Sequence, residues 1–171
     1  TFAAGRTSDA QQFTLTGGNT SSNNGLQLVV HVTIEDTNDI KKLEGLLISD
    51  STTNVYIASS LVDDMAGNAV VDVIKDDALN VTAFTDDFVA PTLLQYNLDM
   101  SAELLTLHFR ETINITSLNT SGIVLQSEQA LFNGTEYRLT GGEVVNGSID
   151  DIFIIIKLSL YDLNELKRLQ I

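Results

Sequence analysis

The chain has no cysteine, no tryptophan, a single proline and only 9 basic residues among its 171. Without cysteine there is no disulfide framework, no thiolate metal site and no cysteine nucleophile. Secretion stays open, because a β domain with a large core can be stable without a covalent staple. The basic residues face 23 acidic ones, for a formal net charge of -14. Such a surface repels nucleic-acid phosphates and anionic lipid, while it suits solubility and divalent cations. Long apolar runs are also missing. The longest, IFIIIKLSL, is interrupted by Lys157 and falls well short of the ~20 residues of a membrane-spanning helix. The first residues, TFAAGRTSD, contain no apolar signal core. Either a signal has been removed or the chain is part of something longer.

What is present favours strands. Hydrophobic residues make up 43% and charged residues 19%, a globular composition rich in Thr, Ser, Val, Ile and Leu. LQLVVHVTIE alternates, with Val30, Val32 and Ile34 on one face and His31, Thr33 and Glu35 on the other. DTNDIKKLEG reads as a helical turn or two, with Asp36 as N-cap and Gly45 as the stop. TNVYIASS, VVDVIK, ALNVTAFT, LLTLHF, GIVLQS, TEYRLTG and IFIIIKLSL read as further strands, with DDMAGN as a turn. Pro91 marks the best boundary, dividing the chain into residues 1–89 and 90–171.

The chain also repeats itself. FTLTGG recurs as YRLTGG at an offset of 124 (141 minus 17). LQLVVHVTIEDTNDIKKL then lies over IFIIIKLSLYDLNELKRL at an offset of 126 (169 minus 43). Asp36 falls on Asp162, Asn38 on Asn164, Lys41 on Lys167 and His31 on Lys157. A period of this size suits a β-sandwich module and exceeds any helical solenoid unit. The chain therefore enters one repeat midway and leaves the next midway.

Three segments carry a resemblance. LLTLHFRETINITSLNTSGIVL resembles the opening of the SbsA-type bacterial immunoglobulin-like repeats, with a strand ending in Phe, an acidic residue two positions on, and a Ser-Leu turn. LVDDMAGNAV resembles their closing Asp-x-Ala-Gly-Asn hairpin, and APTLLQYNLD the Ala-Pro-Thr start of a following module. The resemblance implies an all-β fold of immunoglobulin-like β-sandwich modules in tandem, with the helical turns DTNDIKKL and DLNELKRL as departures. It implies surface-layer, adhesin or other cell-surface use and no enzyme activity. In family order, residues 1–89 lack the opening strands and residues 90–171 the closing ones. The missing strands are expected from other units, in trans or through a continuing chain, so copies of the protein join into a filament or coat.

Asn-x-Ser/Thr occurs at Asn19, Asn80, Asn114, Asn119, Asn133 and Asn146, six of thirteen asparagines. With 31 Ser and Thr, chance placement gives about two or three, so the excess points to N-linked glycans and an extracellular location. Asn80, in strand-like text, is the weakest of the six.

Candidate chemistry is sparse. Asp63, Asp64, Asn68, Asp86 and Asp87 could offer oxygens to calcium, although Asp64–Asn68 also makes sense as turn chemistry alone. His31 and His108 have no second ligand or nucleophile at useful spacing. Asp150 and Asp151 would point to opposite faces of a strand, which argues against an acid–base pair. LTGG lacks the lysine of a phosphate loop and reads as a hairpin turn. The expectation is a structural repeat. The second reading is a calcium-rigidified adhesin stalk or a carbohydrate-binding module, the sugar-binding variant being weaker because aromatics are only 6%.

Overall fold

The run DIFIIIK alternates more exposed and more buried residues, and in the computed structural model it forms one of the two inner strands of the larger sheet in the second half. The structure describes residues 1–3, 11–129, 134–145 and 151–171. They form two compact units, Thr1–Val89 and Ala90–Ile171. Among the described residues the regular structure is strands in antiparallel sheets, short 3₁₀ turns and two α-helices.

The first unit holds β1 (Phe2–Ala3), β2 (Gln12–Phe13), α1 (Ile34–Lys41), β3 (Asn54–Val55) and β4 (Leu79–Asn80). Its sheet runs β2-β1-β3-β4, each pair antiparallel. Beyond β3, single bridges at Ile57–Val73 and Asp63–Ala69 continue a hairpin arm that turns at DDMAGN. The Asp64 carboxylate accepts from the backbone of Ala66 and Asn68 and from Asn68 Nδ2, which closes that turn.

The second unit holds β5 (Leu93–Asp99), β6 (Leu104–Ile113), β7 (Val124–Gln126), β8 (Glu136–Arg138), β9 (Glu143–Val144), β10 (Asp151–Lys157) and α2 (Leu160–Leu169). One sheet runs β5-β6-β10-β9, and β7 pairs with β8 in a second. The β5–β6 turn is fixed by Asp99, whose Oδ1 accepts from the backbone of Ser101 and Ala102 at 2.8 Å each. Leu105 and Leu107 of β6, Ile154 and Ile156 of β10, Leu125 of β7 and Leu163 and Leu166 of α2 form one core. The inner face of the larger sheet is thus covered by β7, β8 and α2.

The two units differ sharply in what they bury. Among the described residues, ten apolar residues are buried in the second unit and three, Ala3, Leu46 and Ala78, in the first. At roughly 1.5–3 kcal/mol for each large apolar side chain removed from water, the second unit holds most of the hydrophobic stabilisation that the described residues supply.

Three sequence expectations change. Leu26–Ile34 contains only a single bridging residue, His31, and its apolar side chains are exposed. An alternating pattern specifies which face would be buried, but a strand also needs a neighbour on which to bury it. The N-cap of α1 is Thr33, three residues before Asp36; Thr33 Oγ1 accepts from the Asp36 backbone N–H at 3.1 Å. LTGG is not a hairpin turn. It carries the chain from β8 in one sheet to β9 in another, so its donors cannot go to an adjacent strand and bond a distant carboxylate instead.

Candidate assembly site

Both halves contain the same carboxylate clasp. In the second unit, Asp162 accepts from the backbone of Thr140 at 3.0 and 3.2 Å, from Thr140 Oγ1 at 2.8 Å and from the backbone of Gly141 at 3.1 Å. In the first, Asp36 accepts from Thr16 at 3.2 and 3.0 Å, from its Oγ1 at 2.7 Å and from Gly17 at 3.2 Å. Both aspartates occupy the third helical position, and their backbone N–H groups bond the N-cap hydroxyls of Ser159 and Thr33. One residue thus caps the helix with its amide and ties down the Thr-Gly-Gly crossover with its side chain.

The electrostatics follow from this geometry. Asp36 is 1% exposed and Asp162 0%. The Thr16 hydroxyl, with further donors from Thr16, Gly17 and Thr33, holds the Asp36 carboxyl below its ordinary range against the cost of burial. Burial opposes the charge on Asp162 most, but bonds from Thr140, Tyr137 and Ser159 outweigh it and its pKa is also lowered. Burial and the bond to Asp162 push the Tyr137 phenol up to about 12. A carboxylate so enclosed works as a fixed structural acceptor.

The last glycine of each TGG is required by the backbone. Gly18 has φ +140° and Gly142 φ +143°. A Cβ on Gly18 would lie 3.0 Å from the His31 carbonyl oxygen, and one on Gly142 2.8 Å from Ile156 Cγ2 and 3.0 Å from the Lys157 carbonyl oxygen. His31 and Lys157 are the same position in the repeat, so the close approach recurs. So does the pairing: Asn19 bridges His31 as Glu143 pairs with Lys157.

The units diverge on the other side of that strand. In the second, β6 lies along β10, with Ile154 opposite Leu107, Ile156 opposite Leu105 and Lys157 opposite Leu104. Leu158 donates its N–H to the Glu103 carbonyl at 2.9 Å. In the first unit no described element corresponds to β5 and β6. Leu28, Val30 and Val32 are accordingly 49, 45 and 38% exposed, where Ile154, Ile156 and Leu158 are 1, 0 and 3%. His31 turns its N–H and carbonyl to Asn19, so the backbone of Val30 and Val32 faces the open side. This edge, apolar and without a strand partner among the described residues, is the candidate site.

The residues singled out from the sequence lie elsewhere. Asp64 and Asn68 are engaged with each other, Asp63 bridges Ala69, and Asp87 pairs with Lys41 at 2.7 Å. The Lys41 ammonium and the Val89 N–H hold Asp87 below its usual range. Asp86 is exposed. Among the described residues no three His, Cys, Asp or Glu side chains converge as a metal cluster. His31 is exposed, and His108 stacks on Phe153 at 4.2 Å within the sheet.

Asn114 and Asn119 are exposed, and each Oδ1 accepts the hydroxyl of its own sequon, from Thr116 at 2.6 Å and Ser121 at 2.7 Å. Asn19 is exposed at its bridge. Asn80 donates Nδ2 to the Asp50 carbonyl at 2.8 Å and reaches Thr53 O and Asn54 Oδ1 at 3.3 Å. Asn133, Asn146 and Asp150 lie outside the described residues. No helix among the described residues is long and apolar enough to cross a membrane.

Sequence reasoning matched Asp36 to Asp162 and TGG to TGG but did not join the two. The signal was available: these groups stay identical in both copies while residues between them change. In comparisons with protein-family models, curated proteins and solved structures, no match was found.

Proposed function

We propose that this chain is a structural repeat unit of an extracellular filament or cell-surface coat, in which immunoglobulin-like sandwiches are completed between successive units. The observation that carries this reading is the complementarity of the two halves. Each has the clasp, the helix and the β9–β10 register or its equivalent. The first adds β3 and β4 but has no described counterpart of β5 and β6, whereas the second has β5 and β6 but no described counterpart of β3 and β4. Laid over one another by the repeat, they describe one two-sheet module: β5-β6-β10-β9 facing β8-β7 extended by β3 and β4. An open apolar edge such as Leu28–Val32 is a pairing site unless covered.

The resemblance to SbsA-type repeats in LLTLHFRETINITSL and LVDDMAGN points the same way. N-linked glycans on the turn sequons would keep such an array solvated and direct its contacts to the ends.

Electron microscopy and light scattering of the chain over rising concentration test the proposal. Linear particles with a regular repeat are expected. A species that stays monomeric at every concentration, with Leu28–Val32 protected from hydrogen exchange in that monomer, would overturn it.

A further inference from the structure

We infer that Asn24 is a self-modification site, at which the chain converts its own asparagine to aspartate and isoaspartate through a succinimide formed with Gly25. This chemistry needs no assembly partner. Asn-Gly occurs three times in the chain, at Asn24, Asn133 and Asn146. Asn133 and Asn146 lie outside the described residues and belong to sequons, where a glycan on Nδ2 would remove the leaving group. Asn24 is followed by Gly25 and Leu26, so it is no sequon and keeps its free amide.

The fold presents this pair at the tip of a loop. Ser22 Oγ accepts from the Val29 backbone N–H at 2.8 Å, and Thr20 Oγ1 accepts from the Ser22 N–H at 3.1 Å, which closes the loop at its base. Between those anchors the chain bends at residues 24–26 with no strand or helix, and Asn23, Asn24, Gly25 and Leu26 are all exposed. Neither Asn24 nor Gly25 takes part in a hydrogen bond among the described residues. Both reacting groups, the Gly25 backbone amide and the Asn24 carboxamide, are therefore unencumbered. Gly25 has no Cβ to crowd the approach of its nitrogen. Its surroundings are open as well, since a Cβ built there would meet only the Asn23 carbonyl oxygen, at 3.8 Å.

Asparagines elsewhere are restrained. Nδ2 of Asn54, Asn68 and Asn80 donates to Ala3 O, Asp64 Oδ2 and Asp50 O at 3.3, 2.9 and 2.8 Å. Asn38 and Asn164 lie inside α1 and α2, where the next backbone N–H is committed to the helix. Asn23 shares the loop, but the residue after it is Asn24, whose Cβ hinders ring closure.

The step balances with water as the only co-reactant. The Gly25 nitrogen gives its proton to solvent and bonds Asn24 Cγ; the Cγ–Nδ2 bond breaks and Nδ2 leaves as ammonia. Water then opens the cyclic imide. Addition at Cγ restores the ordinary backbone with aspartate, whereas addition at the main-chain carbonyl carbon routes the backbone through Cγ as isoaspartate. Either product adds a negative charge to the loop. Isoaspartate also lengthens the backbone by one carbon inside the Ser22–Val29 closure.

The test incubates the full chain at physiological pH and temperature and follows residue 24 by peptide mass spectrometry, with enzymatic methyl-esterification to count isoaspartate. Conversion at Asn24 with both products present is expected, at a rate within ~10-fold of a synthetic peptide spanning residues 20–29, because an exposed loop tip is nearly as accessible as a free chain. Gly25→Ala, whose Cβ has room in the fold, should slow conversion at least ~10-fold in chain and peptide alike, since ring closure depends on an uncrowded nitrogen. Asn24 intact in the chain when the peptide has converted, aspartate without isoaspartate, conversion confined to other asparagines, or a rate indifferent to Gly25→Ala would each overturn the assignment.

Discussion

Tyr137 Oη donates to Asp162 Oδ1 at 2.8 Å, and Phe13, its counterpart in the first unit, has no hydroxyl to do the same for Asp36. The two clasps otherwise match within a few tenths of an ångström. Asp162→Asn keeps the size of the side chain but loses the charge that five donated bonds serve. It should destabilise the second unit by about 2–4 kcal/mol, since bonds to a buried charged acceptor exceed neutral ones and their donors are left unmatched. Tyr137→Phe makes this clasp resemble the first and should cost clearly less. Urea unfolding of the two variants checks the order.

The clasp also sets how stability responds to pH. Asp36 and Asp162 have lowered folded pKa values, so their stabilisation is present above the ordinary carboxylate range and is lost as pH falls through those depressed values. Tyr137 is shifted the other way, to about 12. Its contribution is complete below the ordinary phenol value of about 10 and disappears as pH rises towards 12. Urea midpoints should fall at both ends. The tyrosinate absorbance titration should contain a step near 12 that Tyr137→Phe removes.

Gly142→Ala should be among the most damaging small substitutions in the chain. The new Cβ would meet Ile156 Cγ2 at 2.8 Å and a backbone oxygen at 3.0 Å, with φ at +143°. The loss expected is roughly 2 kcal/mol or more in the second unit. Gly18→Ala should cost less, since its nearest side-chain contact is 3.4 Å and the flanking strand lies at an open edge. Thermal unfolding of the pair gives the comparison.

Expression through a eukaryotic secretory pathway should place glycans on Asn114 and Asn119, whose Oδ1 atoms are occupied while the residues remain exposed. Asn80 should stay bare, because its Nδ2 is committed to the Asp50 carbonyl and its neighbours. Glycopeptide mass spectrometry reads each position. A mass equal to the bare polypeptide would remove the glycoprotein reading altogether.

The phase of the repeat can be tested by rearrangement. By the 126-residue offset, Ile171 corresponds to Gly45, so residues 90–171 followed by 46–89 should spell one uninterrupted module. That chain should unfold in a single transition and bury the β10 strand between β6 and β9 as before. Two transitions, or aggregation at low concentration, would show that the segments do not belong to one sandwich.

How much of this was legible beforehand varied by element. The strands LLTLHF and IFIIIKLSL were readable because alternation and β-branched residues agree with a buried sheet position. LQLVVHVTIE has the same pattern, and the same reading fails there. Its side chains are right and its partner is not among the described residues, a fact no local pattern can contain. The helix start was placed at Asp36 because Asp is a good N-cap, yet Thr33 is equally good and leaves Asp36 free to reach Thr16 and Gly17. A choice between two competent caps is made by a contact about 20 residues away.

The sequence by itself determined the β character, the repeat and its offset, and the identity of the Thr-Gly-Gly and Asp groups, because these rest on local periodicity and internal comparison. Only the tertiary structure decided that the aspartate closes on the Thr-Gly-Gly crossover, and that one copy of a strand is buried while the other stands open. Both depend on which segments meet in space. A hydrogen bond or an apolar contact stabilises a strand only when its partner is there to receive it.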